Sequence, residues 1–129
     1  MTEPIALEAS TSTPAVSFDP ETGLLLIQGE SFPENAVAFY NPILETIQKY
    51  TNAGATTLTL RVALSYLNTS SIKALMDLID IAEDARQAGC DAWVEWYYDE
   101  DDDRSLELAE EFREDISLPF TVVAFNSET

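Results

Sequence analysis

The run Asn68-Thr69-Ser70-Ser71 is where side chains of this chain could first do chemistry. It follows an apolar strand pattern ending near Leu64-Ser65-Tyr66-Leu67 and precedes an amphipathic helix pattern that begins at Ile72-Lys73. A side-chain oxygen at such a junction accepts a free backbone N–H of the first helical turn, so Asn68, Thr69 or Ser70 could each serve as the cap. One cap is needed, and the remaining hydroxyls are surplus. The N–H groups and dipole of a helix start favour an added anion. A hydroxyl held there is a physically sensible phosphate acceptor, with Lys73 one turn on to meet the new charge. Ser70 is the expected cap and Ser71 is expected to be drawn into the first turn. That leaves Thr69 at the end of the turn, facing solvent. The same residues would also serve as a plain strand-to-helix turn.

Other chemistry is narrower. The chain has no histidine, which excludes Ser-His-Asp, Cys-His and histidine-based zinc chemistry. Asp99, Asp101, Asp103 and Glu110 fall at positions one, three, five and twelve of a calcium-loop pattern. The sixth position, which needs glycine for the sharp turn, is Arg104, and the preceding element reads as a strand. The run Asp99–Asp103 is better matched to a helix start, where acids oppose the dipole, than to a calcium-binding module. No glycine-rich phosphate loop and no pocketed carboxylate pair is evident, so an enzyme is not expected and no cofactor is called for.

The elements that must position the junction follow from periodicity. Ala15–Phe18 and Leu24–Gly29 read as strands joined by the turn chemistry of Asp19-Pro20-Glu21-Thr22-Gly23. Ser31 and Glu34 have capping-box spacing, predicting a helix with Val37, Tyr40, Leu44 and Ile47 on its apolar face. Pro42 should kink that helix or reset its start. Thr56–Leu64 turns Leu58, Leu60 and Val62 inward as a third strand. Ile72, Leu75, Met76, Ile79, Ala82 and Ala85 recur at helical spacing, with Gly89 just past the end. Asp91–Tyr98 is a fourth strand. Two of its aromatics, Trp93, Trp96, Tyr97 and Tyr98, should be core, and the others could face a partner. A third helix carries Leu108, Ala109, Phe112 and Ile116, and Phe120–Phe125 is the last strand. Successive strand–helix–strand units imply right-handed crossovers. The fold class is α/β: a mixed, mostly parallel sheet of about five strands with three main helices.

The 129 residues suit one domain with its own core. Residues 1–13, polar and rich in Ser and Thr, read as a flexible tail, and residues 14–126 as the domain. A net charge of −18 argues against nucleic acid and anionic membrane as partners. The single cysteine, Cys90, allows no intrachain disulfide, and residues 1–12 lack the pattern of a signal peptide. A cytoplasmic protein is expected.

Several stretches together resemble a known family. They are Ser12-Thr13-Pro14, Gly29-Glu30-Ser31-Phe32-Pro33-Glu34-Asn35, the run from Tyr66 to Lys73, Trp96-Tyr97-Tyr98-Asp99-Glu100-Asp101-Asp102, Ala109-Glu110-Glu111-Phe112 and Leu118-Pro119-Phe120. On these the chain resembles the SiaC-type regulatory phosphoproteins of bacteria, from about residue 13 to residue 120. The resemblance implies a STAS-like domain, similar to anti-sigma-factor antagonists, whose phosphoacceptor hydroxyl lies at a strand-to-helix junction. The matching position is Thr69, flanked by Tyr66, Leu67, Asn68, Ser70, Ser71 and Lys73 as switch and partner-binding residues. The resemblance further implies a GHKL-type protein kinase, a PPM-type phosphatase, and an unphosphorylated form that binds and activates a GGDEF diguanylate cyclase. That output would raise cyclic di-GMP and favour biofilm. An anti-sigma-factor-antagonist-like partner switch is the alternative.

Overall fold

Leu58, Leu60, Val62 and Leu64 alternate along one strand and are all buried. That strand, Thr57–Leu67, is the fourth of six in the computed structural model, which describes residues 2–114 and 116–125. The order along the chain is β1 (Ile5–Leu7), β2 (Ala15–Asp19), β3 (Leu24–Ser31), α1 (Ala36–Asn52), β4 (Thr57–Leu67), α2 (Thr69–Gln87), β5 (Asp91–Asp99), α3 (Asp103–Glu114) and β6 (Phe120–Phe125). The strands lie side by side in chain order. β1, β2 and β3 pair antiparallel, and β3 through β6 pair parallel. Because every crossover steps the same way, right-handed connection puts all three helices on one face of the sheet. The core lies between that face and the helices. It includes Val16, Phe18, Leu25, Ile27, Val94 and Trp96 from the sheet, Tyr40, Ile43 and Ile47 from α1, and Leu75, Leu78 and Ala82 from α2.

The expected α/β class and three helices are present, but the sheet has six strands, not five. The extra strand, β1, lies inside residues 1–13, the segment expected to be a tail. Ile5-Ala6-Leu7 pairs with Phe18, Ser17 and Val16 and covers backbone groups that would leave β2 as a bare edge. Three residues are too few to show a period of two.

Helix α1 also departs from expectation. Its cap is Asn35, whose Oδ1 accepts the Ala38 N–H at 3.1 Å, and not Ser31. Ser31 is still paired with Leu67 in the sheet and is buried. The shift turns Val37 to solvent, 66% exposed, while Tyr40 and Ile47 stay in the core. Pro42 neither ends nor resets the helix. The carbonyl it would leave unpaired, four residues back, belongs to exposed Ala38, where water can satisfy it. Gly89, at φ 105°, follows the α2 cap Ala88 as expected, and the Cys90 N–H closes the motif on the Ala85 carbonyl at 2.9 Å. Among the described residues no helix is long and apolar enough to cross a membrane.

Candidate functional site

The site begins with an irregularity in the sheet. β3 and β4 pair in register up to Gly29 with Leu64, and then Glu30 faces Tyr66. Ser65 is the extra residue of a bulge on β4, and its hydroxyl donates to the Gly29 carbonyl at 3.2 Å. The bulge reverses the alternation. Leu64 and Leu67 both point into the core, and Tyr66, which strict alternation would bury, is 46% exposed. Its ring meets Phe32 edge-on, with centroids 5.7 Å apart. β4 therefore runs three residues past its expected end at Leu64 and delivers the chain directly to α2.

Asn68 caps α2, in place of the expected Ser70. Its Oδ1 accepts the Ser71 N–H at 2.9 Å, and its carbonyl accepts the Ile72 N–H at 3.0 Å. Its own N–H donates to the Ser31 carbonyl at 2.9 Å, and its amide nitrogen makes a long contact, 3.5 Å, with the Pro33 carbonyl. The cap is thus held by the β3–α1 connection as well as by its helix. Thr69 is the first helical residue, and both it and Ser70 are exposed. By position their N–H groups have no intrahelical acceptor.

Ser71 enters the first turn, as expected, and goes further: it is fully buried. Its Oγ lies 2.7 Å from Ser31 Oγ, which lies 2.6 Å from the Tyr40 hydroxyl. Three buried hydroxyls thus join the end of β3, α1 and the first turn of α2. Burial raises the Tyr40 pKa, outweighing the lowering effect of its hydrogen bonds to Ser31 and Ser71, so the phenol stays neutral. Sequence reading missed this relay. Ser31 matched a capping box, and nothing local links residues 31, 40 and 71. Lys73 is on the surface with its Nζ 3.5 Å from Asp77 Oδ1, one turn beyond Thr69's side of the helix. At 78% side-chain exposure its ammonium is loosely held and free to change partner.

The acidic run closes β5 and opens α3. Asp102 Oδ1 accepts the Ser105 N–H at 3.1 Å, and Asp99 Oδ1 accepts the Asp101 N–H at 2.9 Å. No group of three or more His, Cys, Asp or Glu among the described residues is placed to hold a metal ion. The aromatics beside the run divide by strand parity. Trp96 is wholly buried, donating from Nε1 to Ser105 Oγ at 3.0 Å, and Tyr98 packs on the core. Trp93 and Tyr97 lie half-buried on the sheet face opposite the helices, woven with Arg61 and Glu95.

The arrangement is a capped helix start with two exposed hydroxyl residues, preceded along the chain by Tyr66, which is exposed and meets Phe32. Residues 7–125 match the model of the SiaC family regulatory phosphoprotein. The chain is 42% identical over 118 residues to an uncharacterised protein of Pseudomonas aeruginosa strain UCBPP-PA14, covering 92% of this chain and 94% of that one. The solved structure of SiaC of Pseudomonas aeruginosa superposes with a TM-score of 0.89 at 41% identity, covering 95% of this chain and 99% of that one. SiaC as the activator in complex with the diguanylate cyclase SiaD, from the same organism, gives 0.90 at 41% identity, covering 94% and 99%. By sequence and by fold, the chain belongs to the SiaC family and is a regulatory protein rather than an enzyme.

Proposed function

We propose that the chain is a phospho-switched activator of a GGDEF diguanylate cyclase, acting in the cytoplasm, with Thr69 as the phosphoacceptor. The observation that carries this reading is the division of labour at the start of α2. Asn68 supplies the cap, Ser71 is buried in the relay, and Thr69 stands exposed at the first helical position. Ser70, also exposed, is the competing acceptor, and the family pattern favours Thr69. A relative in complex with a diguanylate cyclase supports the choice of output over an anti-sigma-factor partner.

The mechanism is local. Phosphate adds about −1.5 to −2 charges and three strong acceptor oxygens. The free N–H groups of the first turn and a swung Lys73 are the groups that would receive it. A small hydroxyl that fits against the cyclase becomes a dianion that must shed water to stay there. A GHKL-type kinase would add the group and a PPM-type phosphatase would remove it, restoring cyclase activation, cyclic di-GMP output and biofilm. The test is incubation with the host's kinase and ATP, followed by mass spectrometry and by titration onto the cyclase. Phosphate is expected on Thr69, with binding lost. Thr69→Ala should resist the kinase and keep binding, and Thr69→Asp should weaken binding. Phosphate on Ser70, or binding unchanged by phosphate, would refute the assignment.

A further inference from the structure

The helices cover one face of the sheet, and among the described residues no element covers the other. The middle of that bare face differs in charge from the rest of the molecule. The chain carries 24 acidic residues and a net charge of −18. On the bare face of β4 and β5, Asp91 and Asp99 stand at the two ends of β5. Between them lie one acid and one base, and they bind each other. Arg61 Nε donates to Glu95 Oε1 at 2.7 Å, and Trp93 Nε1 donates to Glu95 Oε2 at 2.9 Å. The Arg61 guanidinium also sits 5.7 Å from the centre of the Tyr97 ring. Trp, Tyr and Arg are the residues that most often anchor protein interfaces. Here they share a patch with no net charge.

The patch is also complementary to itself. β5 presents Trp93, Glu95 and Tyr97 on this face, by strand parity. β4 presents Thr59, Arg61 and Ala63, with Thr59 beside Trp93 and Arg61 beside Glu95. The bulky rings are thus on one strand and the small side chains on the next. A two-fold axis running along the strands between β4 and β5 would lay β4 of one copy over β5 of the other. Ala63 then lies opposite Tyr97 of the second copy, and Thr59 opposite its Trp93. Arg61 lies opposite Glu95 of the second copy, and Glu95 opposite its Arg61. Arg61 meets its own Glu95 through Nε alone, so its terminal nitrogens remain for the second carboxylate. Strands of both sheets run the same way under this axis, which is the aligned packing that twisted sheets prefer.

We propose that the bare sheet face is a self-association surface, on which two copies of the chain pack sheet to sheet about this axis. Six strands about 4.8 Å apart and six residues at about 3.3 Å each span about 570 Å² a side, or roughly 1,100 Å² for the pair. That exceeds an ordinary lattice contact, below about 800 Å², and lies under the standard stable interface of about 1,600 Å². The dimer is therefore reversible. Its charge-neutral centre is where two strongly acidic copies approach with least repulsion. All helices, Thr69 included, stay on the outer sides, so pairing leaves the start of α2 open.

The test is sedimentation of the full chain over a concentration series, with melting curves of each variant to report its fold. Wild type should pass from monomer to dimer as concentration rises, and more readily in 1 M than in 0.1 M salt, because screening removes the repulsion between copies. Arg61→Glu sets acid against acid across the axis, and Glu95→Arg sets base against base. Each alone should weaken the dimer by about tenfold or more. Mixed in equal amounts, the two variants should pair with each other, since every crossing contact is again between opposite charges. Ala63→Arg leaves the ion pair in place and fills the space opposite Tyr97, and it should also leave a monomer. A wild-type chain that stays monomeric at both salt levels overturns the proposal. So does a dimer that Arg61→Glu and Ala63→Arg leave intact, which would place the contact elsewhere. Folded single variants that fail to pair in the mixture overturn it too, because the axis would not bring Arg61 to Glu95. A wild-type dimer that salt dissolves would mean that attraction between charged surfaces holds it, and that also overturns the proposal.

Discussion

At the residue scale, the start of α2 is fixed by contacts that converge on Asn68 and Ser71. Asn68 satisfies one orphan N–H of the helix and is itself bound to the Ser31 carbonyl. Asn68→Ala should therefore lower the unfolding free energy in urea by about 1–2 kcal/mol. Tyr40→Phe keeps the ring and removes one of three buried hydroxyls, leaving Ser31 and Ser71 with each other alone. A loss of about 1–2 kcal/mol is expected there too. Ser31→Ala, which takes the middle of the relay, should exceed both. A Tyr40→Phe protein as stable as wild type would mean the relay contributes nothing net. The surplus of hydroxyls at Asn68–Ser71 was visible in the sequence, and a strand-to-helix junction does lie there. Which of them caps was not visible. Asn, Ser and Thr differ little in capping preference, and the choice is made by Ser71 finding Ser31, forty residues away.

At the element scale, what positions the site is the length and register of β4. Its alternating apolar residues announced a strand, and its parallel partners followed from the order of elements. The bulge at Ser65 did not announce itself, because Ser is common in turns and Tyr66, itself largely apolar, continues the inward count of Leu58, Leu60, Val62 and Leu64. It is this one residue that puts Tyr66 outside with Phe32. The turn before β3 was legible from Asp19-Pro20-Glu21-Thr22-Gly23, and its glycine is required for two reasons. Gly23 has φ 75°, and an added Cβ would lie 2.2 Å from the Thr57 carbonyl oxygen. The Gly23 carbonyl also takes the Thr59 N–H at 2.7 Å, locking β3 to the start of β4. Gly23→Ala should lower stability by about 2 kcal/mol or more, because strained backbone and a backbone clash add. Gly54→Ala is the contrasting case: it too has positive φ, 87°, but nothing lies within 4 Å of the added carbon. Its loss should be distinctly smaller. Equal losses in a paired urea titration would show that the clash at Gly23 is relieved by a shift of β4.

At the scale of the whole molecule, the dominant fact is a net charge of −18 on 129 residues. Composition shows it, but not where it does harm. Self-repulsion weakens the compact state, and salt should relieve it as the screening length falls from about 10 Å at 0.1 M to about 3 Å at 1 M. A rise in Tm of about 3 °C or more is expected over that range, equivalent to about 1 kcal/mol for a domain of this size. Two carboxylates should respond to pH in opposite senses. Asp80 is raised by desolvation and then by its acidic neighbours. A raised folded pKa means the penalty is absent below the unfolded value, near 3.9, and grows as pH climbs through the folded one. Asp80→Asn should therefore stabilise at neutral pH, and the gain should vanish toward acid. Glu95 is also desolvated, but hydrogen bonds from Trp93 and Arg61, the latter at 2.7 Å, outweigh that and lower its pKa. A lowered folded pKa means stability present above the unfolded value, near 4.3, and lost as pH falls through the folded one. Glu95→Gln should cost less than about 1 kcal/mol at neutral pH, since Arg61 is partly exposed, and the deficit should shrink in acid. Urea titrations of the two variants from neutral pH down to about pH 3 decide the matter. Differences that do not converge on wild type toward acid would show that neither carboxylate acts through its charge.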